Sequence, residues 1–420
     1  MPNEIYIDDL ANPVLTDLQK DARDYGETLT VDLNRESIMK EAEKKTGLTD
    51  WGPKDFIARL DLLCDEWNSD KGLSGIGRLS LRNKLLQHAT SRLLIQDQFN
   101  QHPEIHDIQI EKPIIVAGLP RSGTTHLLNL MAADSRLRSL PLWESYEPVP
   151  MPGEVSLEDG TDPRYKRCAD AWEMMQLMTP FIAAMHPMNP DHIHEELELM
   201  GPNFGSYNYE WLSHSPRWRD HYYAEDQTYQ YEYMRDVLKL LTWQQRDTDK
   251  PTRWVLKCPQ HLEQLTVLHK VFPDATIAIT HRDPVSVIQS SVTMIGYGQR
   301  INRKEVITDQ LLGYWTDRIQ HLLQACADDR HKLPDQQTID VPFHELIKDD
   351  VGMVDKIYAK AGLAMTEQAQ HELSQFVDDH KNAYGKVVYN LQDQFGADPD
   401  ELRERFNFYY NAFPVKRAKG

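Results

Sequence analysis

The 420-residue sequence predicts an α/β protein, with a parallel sheet flanked by helices and a helical extension at the N-terminus. Two short apolar runs, PIIVAG from Pro113 and DATIAIT from Asp274, are each followed by a loop and a stretch of helical periodicity. A third run, RWVLKCP from Arg253, also precedes a helical stretch. Because strands that alternate with helices form parallel sheets, we expect these runs to share one sheet with helices on both faces.

Residues 1–105 are predicted to form the helical extension. Over Pro53–Trp67, apolar side chains recur at steps of three and four residues, which is the spacing of one helix face. Gly47 follows the charged segment EAEKK and is suited to end an earlier helix. The helical pattern continues over Arg78–Phe99, and we expect these helices to have a packing role only.

Residues 106–420 are predicted to form one catalytic domain. Within it, residues 150–250 are rich in Met, Trp, Tyr and His and lack the alternation of a strand. We therefore expect helices and loops there that cover a bound acceptor molecule.

The composition, 40% hydrophobic and 26% charged, is that of a folded enzyme with a large core. No run of about 18 apolar residues is present, and the N-terminus lacks the features of a secretory signal, so we expect a protein that neither spans a membrane nor is exported. The four cysteines form no CxxC pair, which favours a reducing, cytoplasmic location. The formal charge of −19 disfavours nucleic acid, anionic membranes and polyanionic acceptors, but not a small anionic cofactor.

The segment from Gly118 to Thr125, GLPRSGTT, has the GxxxxG spacing of a phosphate-binding P-loop. Backbone amides at the helix start that follows would point at an anion, so we predict a sheet of the P-loop type. Thr124 stands where a nucleoside triphosphatase carries lysine, which disfavours an ordinary ATPase or GTPase. Arg121 instead offers two hydrogen bonds to a phosphate without magnesium. A tight turn without a ligand is the alternative interpretation.

A second motif, His281-Arg282-Asp283-Pro284, follows the DATIAIT run. Asp283 is suited to cap the next helix, and Pro284 to stand in its first turn. Arg282 would then lie at the carboxyl end of a strand, where ligands bind to such sheets, with Ser290 two turns along the helix. Alone, the pair is explained as well by a surface arginine and an unrelated serine; together with the first loop, it predicts a second phosphate site.

The two motifs in this order resemble the two cofactor signatures of the sulfotransferase family. The resemblance covers most of the chain and is nearest to bacterial members: it includes GLTDWGPKDF, the WE after the loop helix, LKCPQHL, VFPDA before HRDP, and HKNAYGKVVYNLQDQFG. It implies transfer of a sulfuryl group from 3′-phosphoadenosine 5′-phosphosulfate (PAPS) to a hydroxyl or an amine, with no metal required.

The resemblance also assigns residues to the cofactor. Arg282 and Ser290 are assigned to its 3′-phosphate. Lys386, in the sequence YGK, is assigned to a segment that closes over the cofactor, although many family members have RKG there. Five residues are assigned to the 5′-phosphosulfate: Arg121, Ser122, Gly123, Thr124 and Thr125.

In-line sulfuryl transfer requires positioning, stabilisation of the leaving phosphate and a base for the acceptor. Lys257, at the end of the RWVLK run, is the predicted cation, with an ordinary surface lysine as the alternative. His261 is ranked first as base, because histidine titrates near neutrality and this one is expected beside Lys257, although a helix cap explains it equally well. Glu144 is suggested by family analogy, and Glu195 by the raised pKa that a buried carboxylate would have; a solvated helix face is the alternative for Glu195.

Residues of the 174–194 stretch have further interpretations. His186, His192 and His194 fit no zinc spacing, and no metal site is predicted. Five residues are predicted either to line an apolar pocket for a small acceptor or to pack in the core: Met174, Met175, Met178, Phe181 and Met185.

Two other functions are compatible with the motifs. A P-loop kinase would need magnesium and an aspartate at a strand end, for which Asp283 is the candidate. A non-catalytic nucleotide-binding protein would use the loop as a switch, against which Lys257 and the several candidate bases argue. A homo-oligomer is compatible with the sequence.

Overall fold

The computed structural model describes residues 4–380 and 385–418. The strands in these residues are β1 (Glu4–Tyr6), β2 (Ile114–Gly118), β3 (Val255–Cys258), β4 (Thr276–His281), β5 (Thr338–Pro342) and β6 (Lys386–Val388). The helices are α1 (Asp17–Glu27), α2 (Arg35–Thr46), α3 (Phe56–Ser69), α4 (Gly75–Gln101), α5 (Thr124–Ala132), α6 (Leu142–Tyr146), α7 (Pro163–Met178), α8 (Ile182–Met185), α9 (Leu197–Met200), α10 (Asn208–Leu212), α11 (Pro216–Ala224), α12 (Thr228–Gln244), α13 (Leu265–Val271), α14 (Pro284–Asn302), α15 (Thr308–Asp329), α16 (Phe343–Leu346), α17 (Asp350–Ala361), α18 (Glu367–His380), α19 (Leu391–Phe395), α20 (Pro399–Arg405) and α21 (Asn407–Ala412). Short 3₁₀ turns cover Pro103–Asp107, Gly201–Asn203, Pro259–Glu263 and Arg330–Lys332.

The central sheet has four parallel strands in the order β3-β2-β4-β5. The three apolar runs of the sequence form β2, β3 and β4, and every residue of these strands is buried. Helices pack on this buried sheet, so the predicted α/β fold with a parallel sheet is confirmed. The carboxyl ends of β2, β3 and β4 meet at one edge, where the loops that follow them come together.

Strand β5 has no counterpart in the sequence prediction. Its middle residue Asp340 interrupts the apolar pattern, and the strand is only partly buried. The carboxylate is tolerated because it accepts hydrogen bonds from Arg330 and contacts His281 at 2.9 Å. Arg330 lies on the 3₁₀ turn that precedes β5, and His281 lies on β4. The residues next to Asp340 in the sequence therefore do not indicate that it has these partners.

The N-terminal extension is not helical throughout. Residues 4–6 form β1, which pairs in parallel with β6, so that Glu4 lies opposite Lys386. A three-residue strand is stable only with such a partner, and the partner lies about as far away in the chain as the sequence allows. This is why the sequence pattern missed both strands.

The helices of the extension share their core with the rest of the chain. Phe56, Leu60 and Trp67 of α3 pack in one buried cluster with residues 204–222. The indole of Trp67 donates to Ser215 Oγ at 2.9 Å. As predicted, α2 ends before Gly47, which takes the left-handed conformation with φ 72°. The extension therefore folds against the predicted catalytic domain through a continuous core.

Among residues 4–380 and 385–418, none of the helices combines the length and the apolar character that crossing a membrane requires.

Candidate active site

The loop between β2 and α5 has the shape of an anion cradle. A Cβ atom at Gly118 would stand 2.0 Å from the hydroxyl of Thr280, so only glycine lets the loop leave the strand at this point. Arg121 and Gly123 then adopt left-handed conformations, with φ 64° and 90°. These turns bring the chain into α5, whose first amides are free to bind an anion.

Ser122 has a different position from the other loop residues. Its side chain is fully buried, donates to the carbonyl of Leu119 and lies 2.7 Å from Thr280 Oγ1. The hydroxyl thus holds the loop against β4, and the backbone amide of Ser122 donates to the same carbonyl of Leu119 at 3.2 Å.

The two predicted phosphate motifs meet in space. Arg121 Nε donates to Ser290 Oγ at 2.9 Å, across 169 positions of the chain. Arg282 donates to the backbone carbonyl of Arg121, and its guanidinium lies 4.1 Å from the centre of the Phe343 ring. Burial, together with the neighbouring positive charge of Arg121, lowers the pKa of Arg282. Two guanidinium groups held this close are a donor set for a multiply charged anion.

The start of α14 is fixed as the sequence predicts. Asp283 caps the helix by accepting from the amide of Val285 at 3.1 Å, and Pro284 occupies the first turn. The C-terminal segment reinforces this cap, because Tyr410 and the backbone amide of Ala418 also donate to Asp283. Asp283 is therefore occupied by protein donors.

Lys386 lies on β6, with an exposed side chain. In the described part of the chain, no hydrogen bond or ion pair joins it to the phosphate loop. Tyr384, the first residue of the YGK motif, lies outside the described residues.

Lys257 and Glu195 form a buried pair beside the loop. The ammonium of Lys257, 2% exposed, forms an ion pair with Glu195 and donates to Thr125 Oγ1 at 3.2 Å. Burial raises the pKa of Glu195, and the charge of Lys257 opposes that rise. Lysine, carboxylate and loop hydroxyl thus meet at the carboxyl end of β3.

His261, ranked first as base from the sequence, is fully buried and does not line the cavity described below. Its Nε2 lies 2.6 Å from Glu196 Oε1 and its Nδ1 lies 2.9 Å from the hydroxyl of Tyr231. Because both ring nitrogens have partners inside the protein, the geometry does not support the first rank given to His261 as base, and Glu195 is the carboxylate beside Lys257.

Glu144 is also separated from the site. It is buried and forms an ion pair with Arg138, whose guanidinium lies over the ring of Trp254 at 4.6 Å. The partner is six positions earlier in the chain, so the carboxylate is neutralised locally. This geometry does not support the assignment of Glu144 as the base.

The sequence predicted no role of its own for Glu196, but the contacts of Glu196 hold the neighbouring residues of the site in place. Glu196 is fully buried and accepts from the backbone amide of Lys257 at 2.8 Å, while its other oxygen contacts His261. The segment that carries Glu195 is thereby fastened to β3. The two successive glutamates of HEEL are the only local sign of this arrangement.

A cavity of about 310 Å³ opens beside the loop. Thr125, Glu195 and Pro259 line it near the loop, and its other walls are mainly apolar. These walls come from α4, α7, α8, α10 and α14, including Leu81, Met175, Ile182, Trp211, Met294 and Ile295. The helices predicted to cover the acceptor do contribute, but α4, which was expected only to pack, also forms a wall.

The methionine-rich stretch has a mixed placement. Met175 lines the cavity, whereas Met185 belongs to the core. Met174 and Phe181 are largely exposed. Both predicted alternatives, pocket and core, thus apply to different residues of the same stretch.

Two of the three clustered histidines, His186 and His194, line the cavity. The three ring centres are 5.7–6.5 Å apart. Burial lowers the pKa of His192 to about 4 and that of His194 to about 3, and it lowers the pKa of His186 well below its usual value. They are therefore neutral near pH 7 and offer hydrogen bonds without charge. The described residues contain no group of three or more His, Cys, Asp and Glu side chains arranged to hold a metal.

Lys84, on α4, was missed by sequence reasoning. Its ammonium donates to Glu198 Oε2 at 2.9 Å and lies 4.2 Å from the centre of the Tyr146 ring, and all three residues line the cavity. Lys84 stands seven positions after Gly77 on the same helix face. Only the packing of α4 against α14 reveals that this face borders a cavity.

Comparison with known proteins agrees with this geometry. No curated protein matches the chain significantly. The crystal structure of sulfotransferase STF1 from Mycobacterium tuberculosis H37Rv is 28% identical, with a TM-score of 0.77 over 90% of this chain and 100% of that chain. Sulfotransferase STF9 from Mycobacterium avium shares the fold, with a TM-score of 0.80, 22% identity and coverage of 92% and 98%. A sequence model of the sulfotransferase family matches residues 113–367, more than half of the chain. The chain therefore belongs to the sulfotransferase family, whose members transfer sulfuryl groups.

Proposed function

We propose that this protein transfers a sulfuryl group from PAPS to the hydroxyl of a small, predominantly apolar acceptor. The observation that carries the proposal is the buried pair of Lys257 and Glu195, which lies between the phosphate loop and the cavity. Lys257 supplies a cation next to the phosphate loop, where the cofactor would bind, and Glu195 supplies a carboxylate at the cavity, where the acceptor would bind.

The chemistry of the donor set fits PAPS. The amides of the loop and of the first turn of α5, with Thr124 and Thr125, would hold the 5′-phosphosulfate. Arg282 and Ser290 would hold the 3′-phosphate, and Arg121, which contacts both of these residues, would join that site to the phosphate loop. These donors need no metal to neutralise the cofactor's charge. When bound, PAPS supplies a sulfuryl group on a phosphate leaving group.

The residues of the chain would divide the chemistry between them. Glu195 accepts the proton of the acceptor hydroxyl as its oxygen bonds to sulfur, and burial raises the pKa of Glu195 toward the range of an effective base. Lys257 donates to the phosphate oxygen from which the sulfur departs and stabilises the negative charge that develops there. Its contact with Thr125 holds the ammonium at the loop.

The cavity supports the choice of acceptor. Apart from Glu195, Arg121 and the ion pair of Lys84 with Glu198, its walls are mostly aliphatic or aromatic. Neutral His186 and His194 add hydrogen-bonding capacity near Glu195 without a net charge. An uncharged alcohol or phenol matches these walls better than a charged acceptor.

Two measurements test the proposal. The purified protein should bind adenosine 3′,5′-bisphosphate without magnesium and more tightly than ATP, and it should transfer label from PAPS carrying radioactive sulfur to members of a panel of alcohols, phenols and amines. Tighter, magnesium-dependent binding of ATP would instead favour a kinase. Binding of the bisphosphate with no transfer to any acceptor would favour a non-catalytic nucleotide-binding protein. A cytoplasmic location and a homo-oligomer stay predictions.

A further inference from the structure

Beyond the catalytic pair, the cavity continues as a groove between α4 and α14. On α14 the lining residues repeat at helical spacing from Met294 to Asn302, a stretch of nine residues that rises by about 12 Å along the helix. The facing wall comes from α4 and the residues just before it, from Leu73 to Lys84. We call these two walls and the space between them the α4–α14 groove.

Gly77 and Gly298 both line the groove, but they differ in whether there is room for a side chain at their position. At Gly77 of α4, a Cβ atom would lie 2.2 Å from the backbone carbonyl oxygen of Asn302, so glycine is needed there for the close approach of the two helices. At Gly298 of α14, a Cβ atom would meet no atom of the described residues within 4 Å, although Gly298 lines the cavity. Gly298 is thus not required by packing.

A glycine inside a helix reduces the stability of the folded protein relative to alanine, because glycine loses more conformational freedom on folding. At Gly298 no packing contact and no positive φ offsets that cost. What the missing side chain does provide is open space on the groove side of α14.

We propose that Gly298 determines the length of the acceptor, which is an elongated apolar alcohol whose hydroxyl reaches Glu195 and whose tail lies in the α4–α14 groove. The inference rests on the proposed sulfuryl transfer and specifies its substrate class. Leu73, Leu81 and Ile295 provide the apolar surface for such a tail. Trp211, Ile295 and Gln299 line both the groove and a small second cavity of about 20 Å³, so they form the wall between the two cavities.

The test compares Gly298→Leu with Gly313→Leu. Gly313 lies inside α15, outside the cavity, and a Cβ atom there also meets nothing within 4 Å, so it is a matched control for the change in helix propensity. For each protein, kcat/KM is measured with PAPS and a series of straight-chain primary alcohols from butan-1-ol to decan-1-ol.

We expect Gly298→Leu to lower the ratio of kcat/KM for decan-1-ol over butan-1-ol by at least about tenfold, because excluding one methylene from an apolar pocket already changes discrimination by about that factor. Gly313→Leu should keep the wild-type ratio. A ratio that stays constant in Gly298→Leu, or falls equally in both variants, would overturn the proposal.

A binding measurement separates this inference from the proposed function. If no alcohol is sulfated, the transfer proposal fails, but thermal stabilisation by decan-1-ol still reports on the groove. Stabilisation of the wild type and of Gly313→Leu, with loss in Gly298→Leu, would support the groove as an alkyl-binding site. Equal stabilisation of all three proteins, or of none, would refute it.

Discussion

The cofactor side and the acceptor side of the site are built in different ways. The cofactor side consists of two continuous motifs, each following a buried strand, whose shape comes from local features such as the positive φ of Gly123 and the Asp283 cap. The acceptor side gathers residues from several helices that lie far apart in the chain, from α4 to α14. Chemistry encoded in a motif can be found from sequence, whereas a cavity wall depends on how distant helices pack. Lys257 and Glu195 lie where the two sides meet.

Glu195→Gln at this boundary should have the largest effect. Replacing the carboxylate with an amide removes the base at nearly constant size, so kcat should fall by roughly 10² to 10⁴. Calorimetric titration should find unchanged affinity for adenosine 3′,5′-bisphosphate. The exposed Glu345→Gln is the control. If Glu195→Gln weakens the bisphosphate and spares kcat, the residue belongs to the cofactor side instead.

The pH dependence gives an independent test of the same base. Because burial raises the pKa of Glu195, the carboxylate is lost at a higher pH than for an ordinary glutamate. kcat/KM should therefore decline as pH falls through that raised pKa, and the loss in Glu195→Gln should shrink with an acidic phenol that needs little help from a base. If kcat/KM still declines at low pH in Glu195→Gln, a group other than Glu195 is responsible for that decline.

Arg282→Ala tests the cofactor side on its own, with a smaller effect. It should weaken binding of adenosine 3′,5′-bisphosphate by about 1.5–3 kcal/mol, the scale of a charge-assisted hydrogen bond, and leave AMP nearly unaffected. Titration calorimetry with both nucleotides measures the difference, with the surface variant Arg405→Ala as control. Equal losses for the two nucleotides would mean that Arg282 does not recognise the 3′-phosphate.

His261→Gln should have the smallest effect on turnover. The change disturbs the contacts with Glu196 and Tyr231, so denaturant unfolding should show a loss of about 1–3 kcal/mol in stability. The kcat of the folded protein should fall by less than the roughly 10²-fold expected for removal of a base. Normal stability with a larger loss of kcat would restore His261 as the base.

Much of the fold and the local shape of the two motifs could be predicted because the determining interactions are short in range. Strands β2, β3 and β4 are uniform apolar runs, and Gly47 and Asp283 terminate or start their helices through contacts within a few residues. In contrast, β5 contains a charged residue that only distant partners stabilise. The β1–β6 pairing joins the two ends of the chain.

The sequence by itself determined the residue types and the order of the two phosphate motifs, because a loop and the helix after it fold through neighbouring backbone groups. Only the tertiary structure decided that Glu195, and neither His261 nor Glu144, stands beside Lys257 at the cavity. It also decided that α4 borders that cavity. The physical reason is that burial and the choice of partner for a titratable group depend on residues far away in the chain. Glu196 and His261, 65 positions apart, contact each other, while Glu195 lines the cavity.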